Sequence, residues 1–98
     1  MIPKNEILER LRNCKTDLLK FGVSKIGLFG SAKRGDANQN SDIDILIDFD
    51  SDKETFNNFM NACNFLEISF GGQKIDIVSE KGLSQYIDPY ILKEVEYV

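Results

Sequence analysis

The 98-residue sequence contains no histidine and only two cysteines, Cys14 and Cys63. Without histidine, a Ser-His-Asp triad, a histidine proton shuttle and the usual histidine-containing zinc sites are excluded. The two cysteines lie at apolar positions of helical patterns and not in a close pair with other soft ligands, which predicts reduced core residues. Any acid-base or metal chemistry must therefore depend on carboxylates.

Long apolar runs are also absent, since the longest uncharged apolar stretches span a few residues against the roughly 20 that cross a bilayer. Residues 1–4 do not have the character of a signal peptide. We therefore expect a cytoplasmic protein without a membrane segment. The net charge of −4 argues against extended nucleic-acid binding, which depends on many Lys and Arg contacts to phosphates. It does not exclude one nucleotide held through a metal.

The overall composition, 42% hydrophobic and 29% charged residues, is that of an ordinary globular protein. The length suits a single domain over residues 1–98 and is too short for a separate substrate-recognition domain. Residue patterns predict the order helix, strand, loop, strand, helix, strand, helix. The expected class is therefore α/β (or α+β), with a small mixed sheet of three or more strands flanked by helices. The patterns do not determine the strand order.

Two longer helices are predicted from apolar residues at three- and four-residue steps. The first covers residues 3–21 before Gly22, and the second begins at a capping box of Ser51 and Glu54 and stops at Gly71-Gly72. A last helix is expected to open at Asp88-Pro89 and to carry Tyr90, Ile91 and Val95. The apolar stripes comprise Ile7, Leu8, Leu11, Cys14, Leu18 and Leu19 in the first helix, and Phe56, Phe59, Met60, Cys63 and Leu66 in the second.

Three strands are predicted, over residues 25–29, 42–50 and 73–79. In the second, apolar and acidic residues alternate, with Leu46 falling on the acidic side. Successive side chains of a strand point to opposite faces, so one face of this strand is expected to be apolar and the other acidic. The residues of the apolar face are Ile43, Ile45, Ile47 and Phe49.

Asp42 and Asp44 are two residues apart on the second strand, so their carboxylates project from one face with Cβ atoms about 7 Å apart. Two like charges at this spacing repel each other unless a cation or water screens them, and Mg²⁺ prefers such oxygen ligands. Asp76 has the matching parity in the next strand, so three carboxylates converge if the strands pair. A third carboxylate can complete the coordination of a second metal or accept the proton of an attacking hydroxyl.

Gly30-Ser31 follows the first strand, and Ala32 to Arg34 are expected to form a short helical turn before Gly35. Backbone N–H groups at the start of that turn and the Ser31 hydroxyl are suitable donors to the phosphates of a nucleotide. Lys33 or Arg34 can add positive charge. The segment is not a Walker loop, because Gly35 is followed by Asp and Ala rather than Lys and Ser or Thr.

Each signal has an ordinary structural explanation when it is taken alone. An Asp-x-Asp pair is typical of any half-exposed strand, and Phe residues at helical spacing are typical of a core. The ordered combination favours catalysis: Gly-Ser after an apolar strand, a ten-residue gap, Asp-x-Asp, and one Asp inside a third strand. Other acidic and aromatic residues are assigned to solubility, helix initiation, packing or a partner surface: Asp48, Asp50, Asp52, Phe56, Phe59, Phe65, Phe70, Tyr86, Tyr90 and Tyr97.

Segments 30–35 (GSAKRG), 41–47 (SDIDILI) and 74–78 (KIDIV) together resemble the minimal nucleotidyltransferase family of the polymerase-β-like superfamily. The resemblance implies the nucleotidyltransferase fold, with Asp42 and Asp44 as ligands of catalytic Mg²⁺, two ions in all, and Asp76 as the third carboxylate. It also implies that Gly30 and Ser31 hold the triphosphate of ATP with help from Arg34. Family members often have an aromatic residue after Gly-Ser and Ala before Arg, positions that Ala32 and Lys33 occupy in this sequence.

Proteins of this family are often encoded beside a HEPN-domain RNase toxin and act as its antitoxin by transferring AMP from ATP to a toxin tyrosine. The resemblance therefore implies an Mg²⁺-dependent protein adenylyltransferase. Two alternatives stay open: an antitoxin that neutralises its toxin by binding alone, and an enzyme that modifies a small-molecule hydroxyl such as that of an aminoglycoside. Base specificity, the number of nucleotides transferred, the acceptor and the homo- or hetero-oligomeric state are not determined by the sequence.

Overall fold

The structure of the chain, a computed structural model, describes residues 2–35, 41–83 and 89–98. Helices and strands alternate along these segments, as the residue patterns predict. In chain order they are α1 (Lys4–Leu19), β1 (Val23–Phe29), α2 (Gly30–Arg34), β2 (Ile43–Phe49), α3 (Phe56–Ser69), β3 (Ile75–Ser79), α4 (Glu80–Leu83), α5 (Pro89–Glu94) and β4 (Glu96–Tyr97).

The strands form a mixed four-stranded sheet in the order β3-β2-β1-β4. β1 is antiparallel to both of its neighbours, whereas β2 and β3 are parallel and are connected through α3. The prediction of a small mixed sheet flanked by helices is confirmed. The patterns missed α4 and β4, because four-residue and two-residue elements are too short to show a period.

The main core lies between the helices α1 and α3 and one face of the sheet. The core forms on this face because apolar residues alternate along β2, and these residues are fully or almost fully buried in the core cluster. Leu46, on the other parity, is also fully buried. It pairs with Gly27 of β1, and a Cβ atom on Gly27 would overlap Val95. The second face of the sheet is therefore apolar in the middle and covered there by the C-terminal segment.

Several local expectations are wrong. Leu19 and Phe56, both assigned to apolar stripes, are 60% and 78% exposed, and they are the last residue of α1 and the first residue of α3. Met60 is also exposed. The expected capping box is absent, since α3 begins one residue after Thr55, whose Oγ1 accepts a hydrogen bond from the N–H of Asn58 at 3.1 Å.

At the C-terminal end, α5 is shorter than expected and stops at Glu94, so Val95 lies outside it. The predicted cap Asp88 and the aromatic Tyr86 lie outside the described residues. Cys14 is buried and Cys63 half-buried, and both are free thiols, as the sequence predicts. In the part of the chain that the structure describes, no helix is long and apolar enough to cross a membrane.

Candidate active site

The candidate site lies where β1 ends and β2 and β3 begin, on the second face of the sheet. Phe29, the last residue of β1, pairs with Asp44 near the start of β2. Because β1 is antiparallel to β2, its end lies beside the start of β2, and the chain enters α2 at that point. The sheet thereby brings the Gly30-Ser31 segment next to Asp44.

Asp44 and Asp76 are register partners on the parallel strands β2 and β3. Side chains of paired residues project from the same face of a sheet, and neighbouring strands are about 4.8 Å apart. Asp42 immediately precedes β2, two residues from Asp44, and so shares its side of the strand. Asp44 is half-buried, whereas Asp42 and Asp76 are exposed.

The electrostatics of Asp44 show how closely these groups interact. Burial raises the pKa of Asp44, and the negative charges of Asp76 and, to a smaller extent, Asp42 raise it further. The positive charge of Arg34 acts in the opposite direction without reversing the rise. In the absence of a cation, the folded chain therefore disfavours the ionised form of Asp44.

Gly30 is in direct contact with this carboxylate. Its φ angle is +73°, and a Cβ atom placed on it would overlap the Asp44 carboxylate. A side chain is thus excluded by the backbone conformation and by the neighbouring acid together. The sequence indicated a glycine that lets phosphate approach the backbone, and the structure adds that this glycine makes room for Asp44.

The helix α2 starts at Gly30 without a side-chain cap, since Phe29 at the N-cap position makes no side-chain hydrogen bond. The N–H groups at the start of a helix have no partner inside it and attract anions. Ser31 is half-buried in the first turn. The short helical turn that the sequence predicts is confirmed, and it ends at Gly35 in the left-handed conformation with φ +85°.

Arg34, the last residue of α2, is held by a residue that the sequence analysis missed. Its Nη1 atom lies 3.7 Å from Oε2 of Glu94 at the end of α5. The two residues are sixty positions apart, so no local pattern could indicate the pair. The contact connects the C-terminal segment with the helix that faces Asp44.

The carboxylates do not form a preorganised ligand cluster. Over the described ranges 2–35, 41–83 and 89–98, no group of three or more Asp, Glu, Cys or His side chains converges closely enough to hold a metal ion. The backbone register places Asp44 beside Asp76, and the pKa of Asp44 responds to both neighbouring acids. The three side chains therefore share one region without the converged geometry of a bound ion.

Comparison with known proteins identifies the class to which this fold belongs. A family model described as a nucleotidyltransferase domain matches residues 8–98. The chain belongs to this family. It is a nucleotidyltransferase by descent, and the resemblance to the minimal nucleotidyltransferases that the sequence indicated is confirmed.

Individual relatives are similar over almost their whole length. The protein adenylyltransferase MntA of Thermococcus cleftensis is 37% identical over 99 residues, which cover 100% of this chain and 98% of the relative. A Methanocaldococcus jannaschii protein, provisionally named a protein adenylyltransferase, is 36% identical over 94 residues, with 94% and 90% covered.

Solved structures agree with the fold. The structure of a provisionally assigned minimal nucleotidyltransferase superposes with a TM-score of 0.69 at 32% identity and covers 91% of this chain and 93% of that one. A provisionally assigned nucleotidyltransferase from Sulfolobus solfataricus has a TM-score of 0.57 at 21% identity, with 97% and 81% covered. The second likeness concerns the fold alone.

Proposed function

We propose that this protein transfers AMP from ATP to a hydroxyl group of a partner protein in the presence of Mg²⁺. The acceptor that we favour is a tyrosine of a HEPN-domain RNase toxin, so that the chain acts as the antitoxin of that toxin. The observation that carries the proposal is the position of the Asp44 carboxylate, against Gly30 and beside Asp76 in the sheet. The relatives named as protein adenylyltransferases support a protein as the acceptor.

The residues of the site fit a magnesium ion. Asp42, Asp44 and Asp76 offer only oxygen ligands, which Mg²⁺ prefers, and the pKa of Asp44 is raised first by burial and then by repulsion from Asp76 and Asp42. A bound Mg²⁺ would offset this repulsion and neutralise charge on the transferring phosphate. The family resemblance implies two ions, held by these three carboxylates.

The remaining roles follow from where each group lies. The uncapped N–H groups of α2 and the Ser31 hydroxyl are donors for the triphosphate, and the Arg34 guanidinium adds positive charge beside Asp44. In the reaction the acceptor oxygen bonds to the α-phosphorus and pyrophosphate leaves. We assign to Asp76, which is exposed and is the register partner of Asp44, the role of accepting the proton of the attacking hydroxyl.

The test is an incubation of the purified chain with a HEPN-domain protein encoded beside it, ATP and Mg²⁺, followed by intact-mass analysis of the partner. We expect the mass of the partner to increase by one or more AMP groups. The Asp42→Asn/Asp44→Asn double variant should lower the rate at least about a thousandfold, because both carboxylates would hold the ion that neutralises the transferring phosphate. Asp50→Asn is the matched control, since Asp50 is an exposed acid just beyond the far end of β2.

Four results would contradict the proposal. An unmodified partner, or equal labelling by the double variant, would exclude catalysis by these carboxylates. Toxin neutralisation that survives in the double variant without labelling would identify an antitoxin that acts by binding alone. Labelled nucleotide on an aminoglycoside in the absence of any protein partner would identify a small-molecule acceptor.

A further inference from the structure

The C-terminal segment brings Glu94 to the end of β1 where the candidate active site begins. β4 lies on one side of β1 and β2 on the other, and the pairing of β4 with β1 ends with Glu96 opposite Leu28. Two residues beyond this pair, in the antiparallel sense, are Glu94 and Gly30. Asp44 contacts Gly30 from the β2 side. Glu94 therefore approaches the start of α2 from the side of β1 opposite to Asp44.

Arg34 lies between Glu94 and the acids of the site. It follows Gly30 by four residues, which is about one helical turn, so the two residues share a face of α2. Side chains of a helix point back toward its N-terminus, so the guanidinium extends toward the Gly30 end. Its Nη1 atom lies 3.7 Å from Oε2 of Glu94, and its positive charge also acts on Asp44. Arg34 thus connects Glu94 with the candidate site.

The contact between Glu94 and Arg34 is an ion pair that orients the guanidinium more than it stabilises the fold. Charge-assisted N–H···O bonds are about 2.7–2.9 Å long, so a separation of 3.7 Å corresponds to a looser pair. Both side chains are almost half exposed, and exposed ion pairs contribute little to stability. A guanidinium carries several N–H donors in a planar fork, so a contact through Nη1 does not use all of them.

We propose that Glu94 is a positioning residue that holds Arg34 toward the triphosphate before the nucleotide binds. The inference rests on the proposed function, because it requires a phosphate group beside Arg34. A long side chain that is ordered in advance loses less freedom on binding, which corresponds to about three- to tenfold in affinity. Glu94 is suited to this role because the strand that follows it is paired with β1. The C-terminal segment would then contribute to nucleotide binding without contacting the nucleotide.

A carboxylate near a phosphate site has one other simple role, that of a counter-ion that competes with the nucleotide for Arg34. In that role Glu94 would repel the triphosphate, and its removal would strengthen binding. A positioning residue has the opposite effect, because its removal leaves Arg34 to be ordered by the nucleotide alone. The loose 3.7 Å contact favours positioning, since the nucleotide would not have to break a short hydrogen bond. The sign of the change therefore distinguishes the two roles.

The test is isothermal titration of the full chain with ATP and Mg²⁺, and separately with tripolyphosphate and Mg²⁺. We expect Glu94→Gln to weaken the binding of both ligands by about three- to tenfold, because Arg34 would contact phosphate groups that both contain. Equal factors for the two ligands would show that the effect does not involve the base.

Glu96→Gln is the matched control. Glu96 is 41% exposed against 42% for Glu94, and it pairs with Lys4 of α1 at 2.9 Å. The substitution therefore removes a similar carboxylate from the same segment, and its partner is a residue of α1 and not of the candidate site. We expect the binding of both ligands to Glu96→Gln to equal that of the parent chain.

A double-mutant cycle separates positioning from a general structural effect. Arg34→Gln should weaken binding at least as much as Glu94→Gln does. If Glu94 acts through Arg34, adding Glu94→Gln to the Arg34→Gln variant should weaken binding no further. A merely structural role of Glu94 would weaken binding in both backgrounds. Circular dichroism of each variant establishes that it is folded.

Three results would overturn the inference: unchanged or stronger binding by Glu94→Gln, equal weakening by Glu96→Gln, or further weakening in the Arg34→Gln background. Each of them leaves the proposed function intact, provided that the parent chain binds ATP with Mg²⁺. A parent chain that binds neither ligand at millimolar concentration would contradict the proposed function, and this inference with it.

Discussion

Replacing Gly30 by alanine separates the geometry of the site from the stability of the fold. An alanine at the observed φ of +73° costs about 1–2 kcal/mol in the left-handed region. The smaller conformational freedom of alanine in the unfolded chain offsets about 0.4–1 kcal/mol of this. The net loss of stability from the backbone is therefore about 1 kcal/mol, or a fall in Tm of about 4–8 °C for a domain of this size.

The new Cβ atom would also overlap the carboxylate of Asp44. The carboxylate is the end of a side chain and can rotate away, so the extra cost to stability is small. The rotation moves the acid that we assign to the metal, and a misplacement of about 1 Å at a catalytic group can lower a rate about a hundredfold. We therefore expect Gly30→Ala to lose at least about 2.7 kcal/mol of transition-state stabilisation, twice the 1.36 kcal/mol that corresponds to a factor of ten.

Gly72→Ala is the control, because Gly72 has a φ of +84° and a Cβ atom placed on it would meet no described atom within 4 Å. Both variants should show a similar fall in Tm by calorimetry, while pyrophosphate release, measured well below both transitions, should fall about a hundredfold in Gly30→Ala alone. Activities of the two variants within threefold of each other would refute the inference that Gly30 keeps the space for Asp44.

Three further predictions follow from local contacts. Thr55→Ala should lower the free energy of unfolding by about 1 kcal/mol through loss of the α3 cap, whereas Ser51→Ala should leave it unchanged, as urea denaturation will show. Burial, together with the hydrogen bond that its hydroxyl donates to Glu80, raises the pKa of Tyr97 to about 12. An absorbance titration should therefore show one tyrosine ionising near that value, and Glu80→Gln should move its pKa toward about 10. Because burial and neighbouring carboxylates raise the pKa of Asp44, its contribution to stability is present below its unfolded pKa and is lost as pH rises through the folded value. Asp44→Asn should remove this loss, so that in metal-free denaturation the stability of the variant relative to the parent should increase as the pH rises above about 4.

The sequence predicted the strands of the site well because their patterns are local. Alternation over residues 43–49 needs only a period of two, and the apolar parity of β2 is buried as expected. The adjacency of Asp44 and Asp76 is a different kind of fact, since it depends on β3 lying beside β2 in parallel. The residue pattern of a strand does not indicate which strand lies beside it. The sequence could therefore predict that the carboxylates converge only if the two strands pair, and the structure shows that they do.

The start of α3 shows why local signals fail when two of them compete. Ser51 and Thr55 are both acceptable N-cap residues, and only Ser51 has Glu three positions later. A turn occupies the intervening segment, in which the N–H of Lys53 donates to the carbonyl of Asp50 at 2.8 Å. This turn delays the helix until Thr55. Phe56, the first residue of α3, is 78% exposed and is not part of the core cluster.

Asp44 and Asp48 lie on the same face of β2, but the charges around them differ. The difference shows that the negative charge at the candidate site does not follow simply from the acidic sequence of the strand. Burial alone would raise the pKa of Asp48. Hydrogen bonds outweigh this effect and bring the pKa below its usual value, and the strongest of them comes from Lys81 at 2.8 Å. The fold thus supplies a lysine to the acid at one end of the strand. At the other end Asp44 is left with two further carboxylates, and Arg34 compensates them only in part. The proposed Mg²⁺ ion would offset the negative charge that the fold leaves at Asp44, as Lys81 does for Asp48 four residues away.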